Sequence, residues 1–437
     1  MSMQLRVTGS APAAVKEQVE RALLTAFDPP IFTQQQQSGM SLFHLLLDAQ
    51  DAPLANPQQT PYDCRFMWAP ESTMDEVLME VRCLLEGRRF TSTRGAADAS
   101  ATFLSVVRDG LAPDGGLFNL QNIPRMAPSQ LHYYCTFPTL NYIEAAQFVL
   151  ERLVDASLPP QQLRALLVDA YAPSRWSGLS DVCPVTSLLP NTPAPPTEAD
   201  SRSGACWHDV SLLELYHGPT AAFKDFALQL FPRYFDIAVK SDSGARSGSR
   251  SDNGLQHSYV ILAATSGDTG VAAISGFANA GSSTRVMVLY PHRGVSPVQQ
   301  MQMLSYDDGT SVRVFGAKSD FDFCQHSVKQ IFANRALAQE LWSDAGVRLS
   351  SANSINWGRL IPQVAYYFWA YRKFVQQDGD RRLHLGDPLD VVVPCGNFGN
   401  ILAAFFAKRM GLPLGTLVVA SNCNDVLCEF VQTGRYD

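Results

Sequence analysis

SYVILAATSGDTGVAAISGFANAGSSTRVMVLYPHRG, residues 258–294, decides the fold class. A β-branched apolar run (258–264) ends in Thr265-Ser266-Gly267-Asp268-Thr269-Gly270, an Ala-rich helical stretch follows, and a second β-branched run (285–290) comes after it. Short strands separated by helices are crossover units, which require parallel strands covered by helices on both faces. The pattern continues downstream. SVRVF (311–315), LDVVVP (389–394) and TLVVAS (416–421) read as strands. FDFCQHSVKQIFANRALAQELW (321–342) and GRLIPQVAYYFWAYRKFV (358–375) read as the longest helices. The expected class is α/β with a parallel or mostly parallel sheet.

Upstream the texture changes. From about 89 to 210 come helix-like segments, ATFLSVVRDG (101–110), NYIEAAQFVLERLV (141–154) and PPQQLRALLVDAY (159–171), and a Pro-rich loop, PNTPAPP (190–196). Residues 1–88 hold a polar QQQQSG run at 34–39 and a Pro/Gln-rich stretch at 52–63, with two or three helices expected around them. One of these, TMDEVLMEVRCLLEG, opens on a Thr73/Glu76 capping-box pattern. Three regions result: a front extension, 1–88, without evident chemistry and read as a docking, regulatory or structural appendage; 89–210; and an α/β region, 211–437. The Ser/Gly-rich segment 240–257 is expected to be a mobile surface insertion.

Composition narrows the function. With 34 basic and 41 acidic residues the net charge is −7, and no Lys/Arg cluster marks a nucleic-acid footprint. No run of 18 apolar residues and no signal-like start occur, so the expected chain is soluble, cytoplasmic and free of membrane. Nine singly scattered cysteines argue for reduced core thiols, with no disulfide framework and no metal site.

In open α/β sheets ligands bind outside the carboxyl ends of strands. Two strand-to-helix turns stand out. In 265–270, small residues let backbone N–H groups approach an anion, although a tight turn with an Asp cap reads equally well. In Cys395-Gly396-Asn397-Phe398-Gly399-Asn400, two glycines and two asparagines at a helix start make a phosphate cradle that is neither GxGxxG nor a Walker loop. A third segment, HGPTAAFKDFALQLF (217–231), sets Lys224 near the start of an apolar helix. Desolvation and the positive helix end both disfavour an ammonium there, as an imine-forming amine requires. Read alone, Lys224 serves as well as a surface lysine paired with Asp225. Together, a lysine of depressed basicity, a phosphate cradle and a polar turn match a pyridoxal phosphate site.

At these residues the sequence resembles threonine synthase, a member of the tryptophan-synthase-β-like group of pyridoxal phosphate enzymes. The segments that carry the resemblance are TSTRG (91–95), DGLAPDGGLF (109–118), ELYHGPTAAFKDFALQ (214–229), ATSGDTG (264–270), YPHRGVSPVQQMQM (290–303), NSINWGRLIPQ (353–363), PCGNFGNILA (394–403) and SNCNDVL (421–427). They run in order over about 90–437, leaving 1–88 outside.

The resemblance implies that Lys224 is the Schiff-base lysine. It implies that Gly396, Asn397, Phe398, Gly399 and Asn400 hold the cofactor phosphate, with Asp268 beside the ring hydroxyl. Ser266, Gly267 and Thr269 are expected at the substrate carboxylate. Ser92, Thr93, Arg94, Asn356 and Arg359 are expected at the substrate phosphate. The implied reaction turns O-phosphohomoserine and water into threonine and phosphate, on a monomer or homodimer. A phospho-amino-acid lyase on the same scaffold and a non-catalytic regulatory homologue are the alternatives. Family members continue past the TGRY-like segment, so an incomplete C-terminus and weak activity of 1–437 in isolation are also expected.

Overall fold

The computed structural model describes residues 3–8, 11–26, 32–33, 41–49, 62–68, 72–86, 90–95, 101–155, 157–188, 210–245, 258–280, 284–352, 356–377, 383–423 and 425–435. The Gln run 34–39, most of 52–63, the Pro-rich 190–196 and residues 246–257 of the expected insertion lie outside these. So do Asn353, Ser354 and Ile355.

The front of the chain is a parallel sheet, where helices alone were expected. Strands β1 (Met3–Thr8), β2 (Phe32–Thr33), β3 (Ser41–Ala49) and β4 (Tyr62–Trp68) pair in the order β2-β1-β3-β4, every pairing parallel. Helices α1 (Ala13–Thr25) and α2 (Met74–Glu86) complete it. The Leu-rich run of β3 has helical propensity, and pairing on both sides overrides it. Leu5, Val19, Leu23, Leu45, Phe66, Val77 and Val81 form a core of their own. The capping box is as the sequence predicts: Thr73 N–H donates to Glu76 Oε2 (3.0 Å) and Glu76 N–H to Thr73 Oγ1 (3.3 Å).

This unit is bolted to the rest of the chain through strand β5 (Phe90–Ser92), helix α3 (Phe103–Asp109), strand β6 (Phe118–Leu120) and helix α4 (Pro128–Thr136). The N-cap of α4, Ala127, offers no side-chain acceptor. Glu80 Oε1 accepts from Ala127 N–H (3.0 Å) and Glu76 Oε1 from Ser129 N–H (3.1 Å), so carboxylates of α2 serve the start of α4. Glu80 Oε2 also lies 3.3 Å from Arg152 Nε, both side chains buried. Gln130, fully buried, accepts from Met67 N–H (3.0 Å) and donates to Met67 C=O (2.9 Å).

Helices α5 (Tyr142–Leu150) and α6 (Pro160–Ala170), the antiparallel pair β7 (Val185–Ser187) and β8 (Ser211–Leu213), and helices α7 (Asp225–Leu228) and α8 (Phe231–Ala245) lead to the central sheet. Strands β9 (Ser258–Ala264), β10 (Arg285–Pro291), β11 (Val312–Ala317) and β12 (Val347–Ser350) lie in the order β11-β10-β9-β12, all parallel. Helices α9 (Asp268–Asn279), α10 (Pro297–Leu304), α11 (Phe321–Ala333) and α12 (Arg335–Ala345) connect them. The expected single helix over 321–342 is two, divided where Asn334 turns extended and caps α12 by accepting from Leu337 N–H (3.0 Å). Lys240–Ala245, expected in the insertion, continue α8.

Helix α13 (Trp357–Val375) is buried along nearly its whole length and packs on α3, α4, α5, α7 and α8. It also packs on α14 (Gly399–Arg409), which joins a second parallel pair, β13 (Leu389–Pro394) and β14 (Leu414–Ala420), before α15 (Val426–Thr433). Of the described cysteines, Cys135, Cys183, Cys324 and Cys395 lie in the core, as expected, whereas Cys423 is exposed and Cys428 partly so. No described helix is long and apolar enough to cross a membrane.

Candidate active site

Three strand-to-helix or turn-to-helix junctions converge on a cavity of about 220 Å³. The first follows β9. Thr265, buried, accepts from Gly267 N–H (3.0 Å) and Gly270 N–H (2.9 Å) through Oγ1, and so ties the turn before its helix begins. Gly267 sits at φ +141°, a conformation side-chain-bearing residues rarely adopt. Asp268 then opens α9 and faces the cavity with Ser266 and Thr269.

The second junction carries Lys224. Asp225 accepts from both Thr220 N–H and Thr220 Oγ1 at 2.8 Å, and is thereby spent inside the HGPT turn. Burial pushes the Asp225 carboxyl up to about 6. Lys224 therefore pairs elsewhere: its Nζ lies 3.1 Å from Asp268 Oδ2 and 4.4 Å from the Phe223 ring centre. Burial lowers the lysine below its ordinary value; Asp268 opposes the shift, and Arg359 adds to it. The apolar helix expected after Lys224 is only the four-residue α7, so desolvation, not a helix dipole, supplies the effect. Helix α9 is pressed against α7: a Cβ on Gly276 would lie 1.9 Å from Leu228 C=O.

The third junction runs from β13 into α14. Gly396 faces open space, and the N-cap Phe398 gives the first turn of α14 no side-chain hydrogen bond. Asn400 is fixed from α13: Tyr366 and Tyr367 hydroxyls donate to its Oδ1 at 2.7 and 2.5 Å. Arg359, also on α13, is 2% exposed, donates to Ala352 C=O at 2.6 Å, and leaves its Nε without a hydrogen-bond partner among the described residues. Burial brings that guanidinium down to about 10. One buried cation and one partly buried amine thus share a cavity with a helix start.

Residues 89–171 match the family described as threonine synthase N terminus. The chain is 36% identical to a threonine synthase of Pseudomonas aeruginosa over 352 residues, 80% of this chain and 63% of that protein. The solved PLP-bound threonine synthase of Brucella melitensis superposes with a TM-score of 0.60 at 33% identity, over 80% of this chain and 64% of that one. Over about 80% of its length the chain is similar to threonine synthases in both sequence and fold. The yeast threonine synthase gives a TM-score of 0.64 at 30% identity, over 80% of this chain and 61% of that one. Threonine synthase-like 1 of Pongo abelii is 37% identical over 391 residues. The chain spans about half of that relative, 47% of its length. The same match takes in 86% of this chain, more than residues 89–437 contain, so it reaches into the front unit that the sequence motifs left outside the family.

Within this threonine synthase fold, Lys224, Asp268, Ser266, Thr269, Gly396, Asn397, Gly399, Asn400 and Arg359 line one cavity. Other expected residues do not. Phe398 packs against the core. Gly267 shapes the turn without lining the cavity. Asn356 caps α13, accepting from Gly358 N–H (2.9 Å) and donating to Val107 C=O (2.8 Å), so its buried amide is already engaged with backbone. Ser92 Oγ donates to Asp114 Oδ1 (2.7 Å), Thr93 Oγ1 accepts from Leu117 N–H (2.9 Å) and Arg94 Nη1 donates to Asp114 C=O (3.0 Å). These contacts brace the turn between β5 and β6 instead of lining the cavity. Phe223, Gln299, Gln363 and Pro394 line it without a sequence pattern that singled them out. For Gln299 the available signal was the S-x-x-Q cap pattern within 296–299.

Proposed function

We propose that this chain is a pyridoxal phosphate-dependent threonine synthase, converting O-phosphohomoserine and water into threonine and phosphate. The observation that carries the reading is Lys224: a partly buried amine of lowered basicity, 3.1 Å from Asp268, in a cavity that also holds Arg359 and the start of α14. The residues fit the cofactor. Gly396 leaves open space where a side chain would intrude, and the α14 start lacks a side-chain cap, so backbone N–H groups and the positive helix end suit a phosphate. Gly396, Asn397, Gly399 and Asn400 would hold that phosphate, and Asp268 would face the ring beside Lys224. When bound, pyridoxal phosphate supplies an electron sink for charge developing at the substrate carbons.

The chain's own groups do the rest. Lys224 Nζ, once free, moves protons at the α and β carbons, and its low basicity keeps a larger fraction able to accept one near neutral pH. Asp268 Oδ2 holds that amine in place. Ser266 and Thr269 receive the substrate carboxylate, and the unpartnered Nε of Arg359 offers a charge-assisted hydrogen bond to the substrate phosphate. Burial of the first turn of α13 keeps that guanidinium from water.

Adding pyridoxal phosphate to the purified chain should give a visible absorbance band that Lys224→Ala abolishes, and threonine plus phosphate from O-phosphohomoserine. No band in the wild-type chain would refute the reading. A phospho-amino-acid lyase is the second reading, because the same lysine and helix-start cavity would serve a simple elimination equally well. Release of 2-oxobutyrate from O-phosphothreonine, without threonine from O-phosphohomoserine, would favour it.

A further inference from the structure

Gln299 stands at the third position of α10, on a segment remote in sequence from every other cavity residue. Its amide is oriented from both ends. Ser296 N–H (3.2 Å) and Ser296 Oγ (3.0 Å) both donate to Oε1, and Gln299 N–H returns a bond to Ser296 Oγ (3.2 Å). With the amide oxygen occupied, Nε2 is turned outward, where it donates to Asp268 Oδ1 at 2.5 Å. The other carboxylate oxygen, Oδ2, is then the one that meets Lys224 Nζ. Gly267 makes the approach possible: a Cβ there would lie 2.5 Å from Gln299 Oε1.

We propose that Gln299 is a positioning residue that locks the Asp268 carboxylate in the rotamer that pairs with Lys224, so that the helix cap of α10 governs the charge on the reacting amine. The proposal rests on the synthase reading only in taking Lys224 as that amine. Asp268 is 41% exposed at its side chain, so without the amide it is free to turn to water. Three charged groups bear on Lys224: Asp268 on α9, Arg359 on α13 and Asp225 on α7. Once Asp268 turns away, burial and Arg359 act with only Asp225 against them.

The test is competitive acetylation of cofactor-free protein, with Lys224 followed by mass spectrometry between pH 8 and 10. Gln299→Leu removes the donor and should make Lys224 react about fivefold faster at pH 8, the factor expected from loss of a partly exposed ion pair. Asp268→Ala removes the carboxylate itself, so adding Gln299→Leu to it should leave the Lys224 rate unchanged. A merely structural role would give the same factor in both backgrounds. Equal rates in the wild type and Gln299→Leu, or the same factor in both backgrounds, would overturn the proposal. If Gln299→Leu fails to fold, Gln299→Met, which also lacks the donor, takes its place in both backgrounds. The absorbance band in the wild-type chain tests the cofactor reading separately, so either can fail without the other.

Discussion

Replacing Gly276 with alanine sets two physical effects against each other. Helix propensity alone favours alanine over glycine by about 1 kcal/mol within a helix. Packing opposes it, because the new Cβ would lie 1.9 Å from Leu228 C=O and 3.2 Å from Pro232 Cγ. Contacts below 3.0 Å do not persist, so α9 and α7 must separate by at least 1.1 Å. Leu228 ends α7, which is four residues long and immediately follows Lys224; Asp268 begins α9. Moving the two helices apart by that much stretches the 3.1 Å contact between Lys224 and Asp268 past the length of an ion pair. Overpacking of this kind costs about 1–3 kcal/mol, which outweighs the propensity gain. A misplacement near 1 Å at a reacting amine costs about 10²-fold in turnover. Urea denaturation and steady-state rates measured on the same preparations would check both effects. A Gly276→Ala protein that is more stable than the parent, with its Lys224 titration unmoved, would refute the packing argument.

Glu80→Ala leaves Arg152 buried without its carboxylate and Ala127 N–H without its acceptor, and should lower stability in urea by about 3 kcal/mol; a loss below about 1 kcal/mol would contradict this. Arg152 retains its bond to Phe148 C=O and its place over the Phe148 ring, which keeps the expected loss at the lower end of the range for broken buried pairs. The Asp225 carboxyl is held at about 6 against an ordinary 3.8, so the folded state favours its protonated form. Stability from this group is fully present below the ordinary value and is lost as pH rises through about 6. Asp225→Asn should therefore flatten the fall in urea midpoint between pH 4 and 6, and an unchanged slope would count against the assignment. Tyr367→Phe removes the 2.5 Å bond to Asn400 and should weaken pyridoxal phosphate binding about fivefold, the size of one hydrogen bond; unaltered affinity would mean that the backbone of the cradle suffices.

The strands of residues 258–421 are legible in the sequence because most of their β-branched runs are bounded by turn residues. Strand β12, Val347–Ser350, is not: four residues with Arg348 and Ser350 among them carry no such signature, and only pairing with β9 defines them. In the front unit, Leu45 and its neighbours read as helix or strand equally well, and the sheet partner that decides the matter lies elsewhere in the chain. The site shows the same division. Residues at helix starts, Asp268 and the 396–400 turn, announce themselves by local composition. Asn356 misleads because nothing local reveals that its amide is consumed by Val107 and Gly358. Arg359 is legible as a candidate, yet its open Nε follows only from the way α13 is enclosed.

Both polar groups of one strand residue point to the same side, so Gln130 takes up the N–H and C=O that Met67 turns away from β3. A side-chain amide there does the work of one residue of a missing fifth strand. Any foreign segment seeking to extend the front sheet along β4 must first evict a buried glutamine and pull α4 away with it. The β4 flank of the sheet is in this way plugged by the helix it adjoins, and Gln130→Leu would open it to self-association.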